Sequence, residues 1–188
     1  MNRIVFAALA AAFAVPAAAE PETFTIDPNH TFPSFEVSHF GISVQRGRFN
    51  KTSGKITIDS SARTGSGEIV IDAATVDTGH VKLGEHLRSA DFFNVEKYPT
   101  IAFKATGFAF DGDKVKSVTG DLTILGVSRR AVLNAVTYNC APNPLTKKKV
   151  CGGDFVATVK RSEYGMTKGI PAVSDEVTLR INVEAIKD

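Results

Sequence analysis

The chain has 188 residues, with 22 Lys or Arg against 20 Asp or Glu, so its formal net charge is +2 at pH 7. A charge this close to neutral gives no electrostatic footprint for nucleic acid, and we expect no nucleic-acid partner. The length fits one domain, and the sequence has no linker-like stretch and no internal repeat.

The N-terminus has the three parts of a secretory signal peptide. Arg3 supplies a positive charge, residues 4–15 form a short apolar run, and the small residues Ala17, Ala18 and Ala19 suit a signal peptidase. The apolar run is shorter than the roughly 18 residues of a spanning helix. We therefore predict a signal peptide at residues 1–19, cleavage after Ala19 and a periplasmic mature domain at residues 20–188.

In the mature chain, apolar residues recur mainly at every second position, which is the period of a half-buried strand. The clearest case is near the C-terminus, where Val177, Leu179 and Ile181 alternate with Thr178 and Arg180. In chain order, the pattern predicts strands at residues 55–59, 68–73, 100–110, 115–125, 131–138, 155–161 and 177–185.

Turns and one helix are predicted between these strands. Ser66-Gly67 and Asp111-Gly112-Asp113 have the residue types of tight turns. The helix is predicted within residues 80–90, where Leu83 and Leu87 stand four apart, although Gly84 weakens its helical propensity. About eight strands at short spacing predict an antiparallel barrel or sandwich, and the periodicity alone does not separate these two.

The chain has two cysteines, Cys140 and Cys151, on either side of a loop rich in Pro and Lys. Because an exported protein meets an oxidising compartment, we predict that they form a disulfide. Closing so short a loop stabilises a fold by about 2–3 kcal/mol in the chain-entropy model. Two unpaired buried thiols are the alternative, and a zinc site would lack a full ligand set.

Three stretches carry a resemblance to a known family. They are LRSADFFNVEKYPTIAF at residues 87–103, GDLTILGVSRR at 120–130 and KRSEYGM at 160–166, and DPNHTFPSFEVSHFG at 27–41 agrees with them. Together they resemble the YceI-like family, small secreted bacterial proteins of extended lipocalin fold that bind polyisoprenoids. The resemblance implies an all-β fold, a closed antiparallel eight-stranded lipocalin-like barrel with a short helical cap.

The resemblance also implies an apolar ligand site inside the barrel. Of 13 Phe, two lie in the leader, and the chain has no Trp. The adjacent Phe92 and Phe93 cannot point the same way in a regular element, so we expect one of them to plug or gate the barrel. The alternative for each Phe is plain core packing. The expected lining comprises Phe35, Phe40, Phe49, Phe92, Phe93, Ile101, Phe103, Leu122, Phe155, Leu179 and Ile181.

Polar residues in the same stretches are candidates for holding a ligand head group. His39 and Arg161 are the two that we predict, with Arg88 and Ser162 nearby. The structural alternative is that Arg161 pairs with Glu163 or Asp154 and that Ser162 forms a hydrogen bond to its own backbone.

These features favour a periplasmic protein that binds a long-chain isoprenoid lipid or similar amphiphile, for storage or transport. The alternative is a filled barrel that acts through surface loops such as residues 142–149. An enzyme is not expected, because Ser89, His86 and Asp91 form a triad only on paper and no G-x-S-x-G motif occurs. The four histidines form no compact metal motif. No cofactor is expected, since neither G-x-G-x-x-G nor a P-loop is present.

The sequence leaves two further contacts undecided, one with a membrane surface and one with a second copy of the chain. The run Lys147, Lys148 and Lys149 suits either transient contact with an anionic membrane surface or a solvated loop. An edge strand or the Phe-rich mouth offers a surface for a homodimer, and no residue singles one out.

Overall fold

The structure is a computed structural model that describes residues 20–188. The predicted leader at residues 1–19, with its cleavage site, lies outside the described residues. The described part is built almost entirely of β-strands, with one short α-helix. The strands are β1 (Glu22–Ile26), β2 (Phe32–His39), β3 (Ser43–Phe49), β4 (Thr52–Asp59), β5 (Thr64–Asp72), β6 (Val76–Asp77), β7 (Thr100–Asp111), β8 (Lys114–Ile124), β9 (Val127–Pro142), β10 (Lys149–Lys160) and β11 (Val173–Lys187); the helix is α1 (Val81–Arg88).

Eight of these strands form a closed antiparallel ring. Hydrogen-bonded neighbours follow the order β1-β4-β5-β7-β8-β9-β10-β11, and β11 pairs again with β1. Closure removes the free edges that an open sheet would expose. The predicted eight-stranded lipocalin-like barrel is therefore confirmed, and the sandwich is excluded.

The long strand β11 serves two partners along the same edge. Its C-terminal residues pair with β1, where Ile26 lies opposite Ala185, and its N-terminal part pairs with β2, where Phe35 lies opposite Leu179. Strand β3 pairs with β2, and the short β6 pairs with β3 through Phe49 and Val76. The β2-β3-β6 layer therefore extends the barrel wall at the end that β1 does not reach.

The alternation in the sequence sets which side chains face the interior. In β11 the residues Val177, Leu179, Ile181, Val183 and Ala185 all line the interior, as the period of two predicts. The buried core falls into two clusters, one around Phe103 and the other around Phe24.

One predicted turn is wrong. Ser66-Gly67 lies inside β5, and the connection from β4 runs through residues 60–63, where the Ala62 N–H donates to Asp59 Oδ1. Gly67 is explained by close packing of neighbouring strands, because a Cβ there would lie 2.7 Å from the Lys55 carbonyl oxygen. The turn at Asp111-Gly112-Asp113 is confirmed, and Gly112 has a φ of +57°.

The hairpin of β9 and β10 is longer than predicted. Its outer part includes Gly152 and Gly153, which have low strand propensity and were left out of the prediction. A Cβ at Gly153 would lie 2.2 Å from the Thr137 carbonyl oxygen, so the neighbouring strands approach closely there. Cys140 and Cys151 lie directly opposite each other in this ladder and are joined by a disulfide, as predicted.

Helix α1 falls within the predicted range. The His80 ring caps it, with Nδ1 accepting a hydrogen bond from the Leu83 N–H at 3.3 Å. Gly84 is buried, and a Cβ there would lie 3.3 Å from Arg88 Nη1 of the same helix and 3.8 Å, an ordinary contact distance, from the Val76 carbonyl oxygen of β6. The helix therefore forms despite the glycine that weakened the prediction. Within residues 20–188, none of the helical segments has the length and apolar character to cross a bilayer.

Candidate functional site

The barrel interior contains a cavity of about 170 Å³ beside the α1 end, which we call the near chamber. Its wall is almost wholly apolar and draws residues from β2, β3, β5, β7, β8, β9, β10 and β11. Ten predicted site residues contribute to it: Phe35, Phe49, Phe92, Phe93, Ile101, Phe103, Leu122, Arg161, Leu179 and Ile181.

A second cavity of about 80 Å³, the far chamber, lies toward the disulfide end of the barrel. Phe24 and Phe155 line it, together with the buried Cys151. The predicted residue Phe155 therefore lies in the wall of the far chamber. Phe24 was not predicted, because β1 is only five residues long.

The two chambers share four wall residues, Ile69, Phe103, Leu133 and Ile181, which we call the waist. The Phe103 ring lies over Gly120, where a Cβ would be 2.6 Å from its Cζ. A ring held in this way stands between the two chambers. The barrel interior therefore holds two apolar chambers with the waist between them, and we call the two chambers together the tunnel.

An aromatic cluster covers the near chamber. The Phe93 ring contacts Phe49 at 5.3 Å and Phe35 at 6.2 Å between ring centroids, both with rings steeply inclined. Phe92 instead packs perpendicular to the ring of His86 at 4.9 Å. The two adjacent rings thus point differently, as expected, and both belong to residues 81–98, which we call the cap segment.

Arg161 is the buried cation of the near chamber, and only 6% of its surface is exposed. Its Nε donates to the Ser174 carbonyl, Nη1 donates to those of Met166 and Lys168, and Nη2 donates to that of Val173. Burial lowers the pKa of Arg161, and the charge of Asp175 acts in the opposite direction.

These contacts decide the structural alternatives for this region. Within the described chain Arg161 bonds backbone carbonyls rather than the carboxylates of Glu163 or Asp154. Ser162 bonds Asp175 rather than its own backbone, with N–H and hydroxyl distances of 2.8 and 2.7 Å. Both hydrogen bonds lower the pKa of Asp175. The four bonds of Arg161 use four of its five N–H groups and leave one on Nη2.

Two predicted site residues lie outside both chambers. Phe40 is 62% exposed in the turn after β2, and the His39 ring contacts it edge-on at 4.4 Å. Phe40 stands outside the chambers because the strand alternation ends at this turn, where Phe40 adopts a φ of +54°. Arg88, the other basic candidate, donates to the Val76 carbonyl at 3.3 Å.

Two wall residues near Arg161 were missed. Tyr164 and Met166 are buried and line the near chamber. Burial is the main cause of the raised pKa of Tyr164. Both residues stand in the KRSEYGM stretch, in which only the charged and hydroxyl side chains were predicted to contact a ligand.

At the far chamber the polar wall group is Tyr138. Its hydroxyl lies 3.4 Å from Cys140 Sγ and is the donor, because a disulfide sulfur carries no hydrogen. Burial raises the pKa of Tyr138, with a smaller contribution from the charge of Glu22.

Ser89, His86 and Asp91 are not arranged as a catalytic triad. The Ser89 hydroxyl donates to the His86 backbone carbonyl at 2.7 Å, whereas His86 Nε2 lies 3.7 Å from Asp91. Asp91 also lies 3.4 Å from Lys168 Nζ, so it links the cap segment to the loop before β11.

A surface cluster of possible ligand atoms lies away from the chamber walls. Atoms of Asp27, His30 and Glu184 lie within 4.8 Å of one another. His30 Nδ1 is 2.7 Å from Asp27 Oδ2, and this contact raises the pKa of His30 and lowers that of Asp27. The observed contact is thus an exposed ion pair at the turn between β1 and β2.

The fold and its interior define the class of the protein, an antiparallel barrel of lipocalin type that encloses an apolar tunnel. Residues 24–185 match the family described as the YceI-like domain. Protein YceI of Escherichia coli O157:H7 is 33% identical over 159 residues, which cover 84% of this chain and 82% of that protein. The chain therefore belongs to the YceI-like family.

Solved structures agree with this assignment. BcnA of Burkholderia cenocepacia has a TM-score of 0.71 at 26% identity, covering 85% of this chain and 99% of that one. A protein described as a polyisoprenoid binding domain from Saccharophagus degradans has a TM-score of 0.62, with 88% and 98% coverage. At 18% identity, the second likeness shows the fold alone.

Proposed function

We propose that this protein binds a long-chain isoprenoid lipid in its barrel interior, for storage or transport in the periplasm. The observation that carries the proposal is the pair of apolar chambers joined end to end at the waist. Family membership and the description of the Saccharophagus degradans domain support the same ligand class.

The shape of the tunnel favours a long, thin ligand. Strand β11 lines the near chamber from Val173 and the far chamber to Ala185. That length of strand spans about 40 Å at about 3.3 Å per residue. With the usual strand tilt, the tunnel is about 30 Å along the barrel axis. Cavities of about 170 and 80 Å³ over that length suit one flexible chain rather than a broad fused ring system.

The free energy of moving an isoprenoid between a bilayer and the protein is consistent with a carrier role. Moving one five-carbon unit from water to an apolar site is favourable by about 3–4 kcal/mol. In a cell the ligand starts in a bilayer that is already apolar, so transfer to the protein gains little in either direction. A protein of this kind loads and unloads without a large thermodynamic barrier, and the rate depends on how the tunnel opens.

The polar group at the near end suggests the orientation of the ligand. The one N–H of Arg161 Nη2 not given to backbone carbonyls can donate to an oxygen of a head group, such as a quinone carbonyl. The tail then passes Phe103 at the waist into the far chamber. The proposed contacts are Phe35, Phe49, Phe92, Phe93, Ile101, Phe103, Leu122, Phe155, Arg161, Leu179 and Ile181.

Exchange is proposed to proceed through the cap segment. The cap segment lines the near chamber with Leu87, near the end of the eight-residue helix α1, and with Phe92 and Phe93, which follow that helix. The barrel strands, in contrast, are each held by two neighbours. Segments with fewer such contacts open at lower free energy than the core.

Export to the periplasm is supported by two independent features. The first is the signal-peptide pattern at residues 1–19. The second is the disulfide between Cys140 and Cys151, a bond that persists in oxidising compartments.

Mass spectrometry of protein purified from the periplasm without detergent tests the proposal, first in the native state and then after solvent extraction. We expect a near-stoichiometric isoprenoid whose mass names its chain length and head group. The same ligand must be recovered chemically unchanged after incubation, since turnover would indicate an enzyme. Protein that stays free of ligand after incubation with isoprenoid-containing vesicles would contradict the proposal and favour action through surface loops.

A further inference from the structure

The turn between β2 and β3 exposes large apolar side chains. Phe40 is 62% exposed, Ile42 is 86% exposed and Val44 is 46% exposed. Ile170, in the loop before β11, is 37% exposed. We call these four residues the hydrophobic tip. Contiguous exposed apolar groups mark interaction sites more often than isolated ones do.

The backbone conformation of the turn is energetically unfavourable for a Phe at position 40. Phe40 and Gly41 have φ values of +54° and +67°, and the Ile42 N–H donates to the His39 carbonyl at 3.0 Å. Tight turns of this kind favour Asn-Gly, because a bulky side chain is strained in the left-handed region. An exposed Phe gains little from burial that would offset the strain, so its presence points to a role outside the fold.

The hydrophobic tip lies at the near chamber. The Phe40 N–H donates to the Ala172 carbonyl at 2.6 Å, which holds the Ile170 loop beside the turn. Val37 and Val173 line the near chamber, and each is three residues from a member of the tip. The apolar surface outside is therefore continuous along the chain with the apolar wall inside.

The charge around the tip suits a lipid surface. Residues 37–45 and 164–172 contain no Asp or Glu, and Lys168 stands in the second segment, paired with Asp91 of the cap segment. An apolar projection without carboxylates in its own segments is not repelled by anionic lipid head groups.

We propose that the hydrophobic tip inserts into the interfacial region of a lipid bilayer and holds the near end of the barrel against it. Docking itself needs no bound ligand. Its use, the direct passage of an apolar chain between bilayer and tunnel, rests on the proposed function. Phe and Ile side chains are well suited to the acyl boundary, where apolar area is buried.

A single tryptophan tests the docking directly, since the chain has no Trp of its own. Ile42→Trp protein is mixed with isoprenoid-free vesicles of phosphatidylethanolamine and phosphatidylglycerol. We expect a blue shift of emission and quenching by lipids with brominated acyl chains. Leu145→Trp is the matched control, because Leu145 is 89% exposed in the loop between β9 and β10, beyond the disulfide. Its emission is expected to stay unchanged.

Phe40→Asn separates docking from folding. Asn tolerates the left-handed backbone, so the variant is expected to fold at least as well as the parent chain. Removing one inserted Phe ring is expected to weaken vesicle association about tenfold. Unchanged association of a folded Phe40→Asn protein would overturn the proposal.

Three spectroscopic outcomes would also overturn it. They are a blue shift at Leu145→Trp with none at Ile42→Trp, a shift of Ile42→Trp that grows with protein concentration without vesicles, and no shift at either site. The second outcome would identify a contact between copies of the chain. Because the vesicles lack isoprenoid, each result is independent of whether the purified protein carries a ligand.

Discussion

Phe103 occupies the one place in the tunnel where both chambers depend on a single ring. It is 9% exposed, stands in β7 and is fixed over Gly120 of β8. Under the proposed function, a side chain at this position would limit how far an apolar chain extends into the barrel. Position 103 is thus the sharpest point at which to test the tunnel.

Phe103→Arg is expected to abolish lipid retention, because it places a cation in an apolar constriction where burying a charge is very costly. Ala102→Arg is the control, since its side chain alternates to the outside of the same strand. Bound lipid is measured by native mass spectrometry, with circular dichroism to show that each protein is folded. Lipid retained by a folded Phe103→Arg protein would remove this residue from the lining.

Arg161→Met is expected to lower the free energy of unfolding by about 3 kcal/mol, because it leaves one buried and three partly buried backbone carbonyls without their donors. Arg130→Met serves as the control. The Arg130 side chain is 58% exposed and lies 3.6 Å from Asp121, so its loss is expected to cost under about 0.5 kcal/mol. Urea unfolding measures both, and equal stabilities would contradict the structural role of Arg161.

The sequence allowed some site residues to be predicted and not others. Phe103 and Ile181 could be placed inside because a strand turns every second side chain to the same face. The partners of Arg161 could not be predicted, since its carbonyl acceptors lie in the loop before β11 and at the start of that strand, and no local pattern specifies the path of this loop. Phe40 lies outside the chambers for a related reason, because its left-handed φ ends the alternation of β2.

At the scale of elements, the hairpin of β9 and β10 carries the disulfide and one wall of the far chamber. Replacing Cys140 and Cys151 with Ala is expected to lower the free energy of unfolding by about 2–3 kcal/mol through the loss of loop closure. Denaturant titration of the oxidised parent and the double variant measures the difference. Equal midpoints and slopes would show that the hairpin ladder alone supplies the stability.

The cap segment gives a kinetic prediction. Phe93→Ala removes the ring that contacts Phe35 and Phe49 and is expected to speed transfer of bound lipid to acceptor vesicles by at least tenfold. Phe92→Ala is the matched control and is expected to have a smaller effect, because that ring packs on the exposed His86. Equal transfer rates for the two variants would argue against a gate at Phe93.

Strand β3 was missed because its sequence, SVQRGRF, shows no regular alternation of apolar and polar residues. In β3, Gly47 takes the place of an inward side chain, and the Phe35 ring of β2 fills the space, since a Cβ there would lie 2.4 Å from its Cζ. A ring from a neighbouring strand that fills the space beside a glycine produces no pattern in the local sequence. Ser66-Gly67 was taken for a turn for the same reason, because the close approach of Lys55 is visible only in three dimensions.

For the whole molecule, acid is expected to destabilise the fold. Hydrogen bonds from Lys149 and Lys187 lower the pKa of Glu22, and those from Arg180 and Arg46 lower the pKa of Glu36, from an ordinary value of 4.5. A lowered pKa means that these bonds stabilise the folded state fully above the unfolded value and less as pH falls through the folded one. Stability is therefore expected to decline below about pH 4.5.

Unfolding by urea across the acid range checks this dependence. Glu22→Gln should flatten the decline, since a neutral amide does not titrate, whereas Glu68→Gln should leave it unchanged because Glu68 stands outside these ion pairs. A profile that rises toward acid would contradict the assigned sign.

One edge of β11 pairs with both β1 and β2, and this pairing affects how the barrel folds. Phe24 pairs with Lys187, so the ring closes only when the first described strand meets the last one. During synthesis β1 must wait, with one edge unsatisfied, until nearly all of the described chain is available. Such distant pairing slows folding and leaves strand edges open to aggregation in the meantime. A nascent chain of this kind has no sealed interior, so cargo can be received only after the last strand is in place.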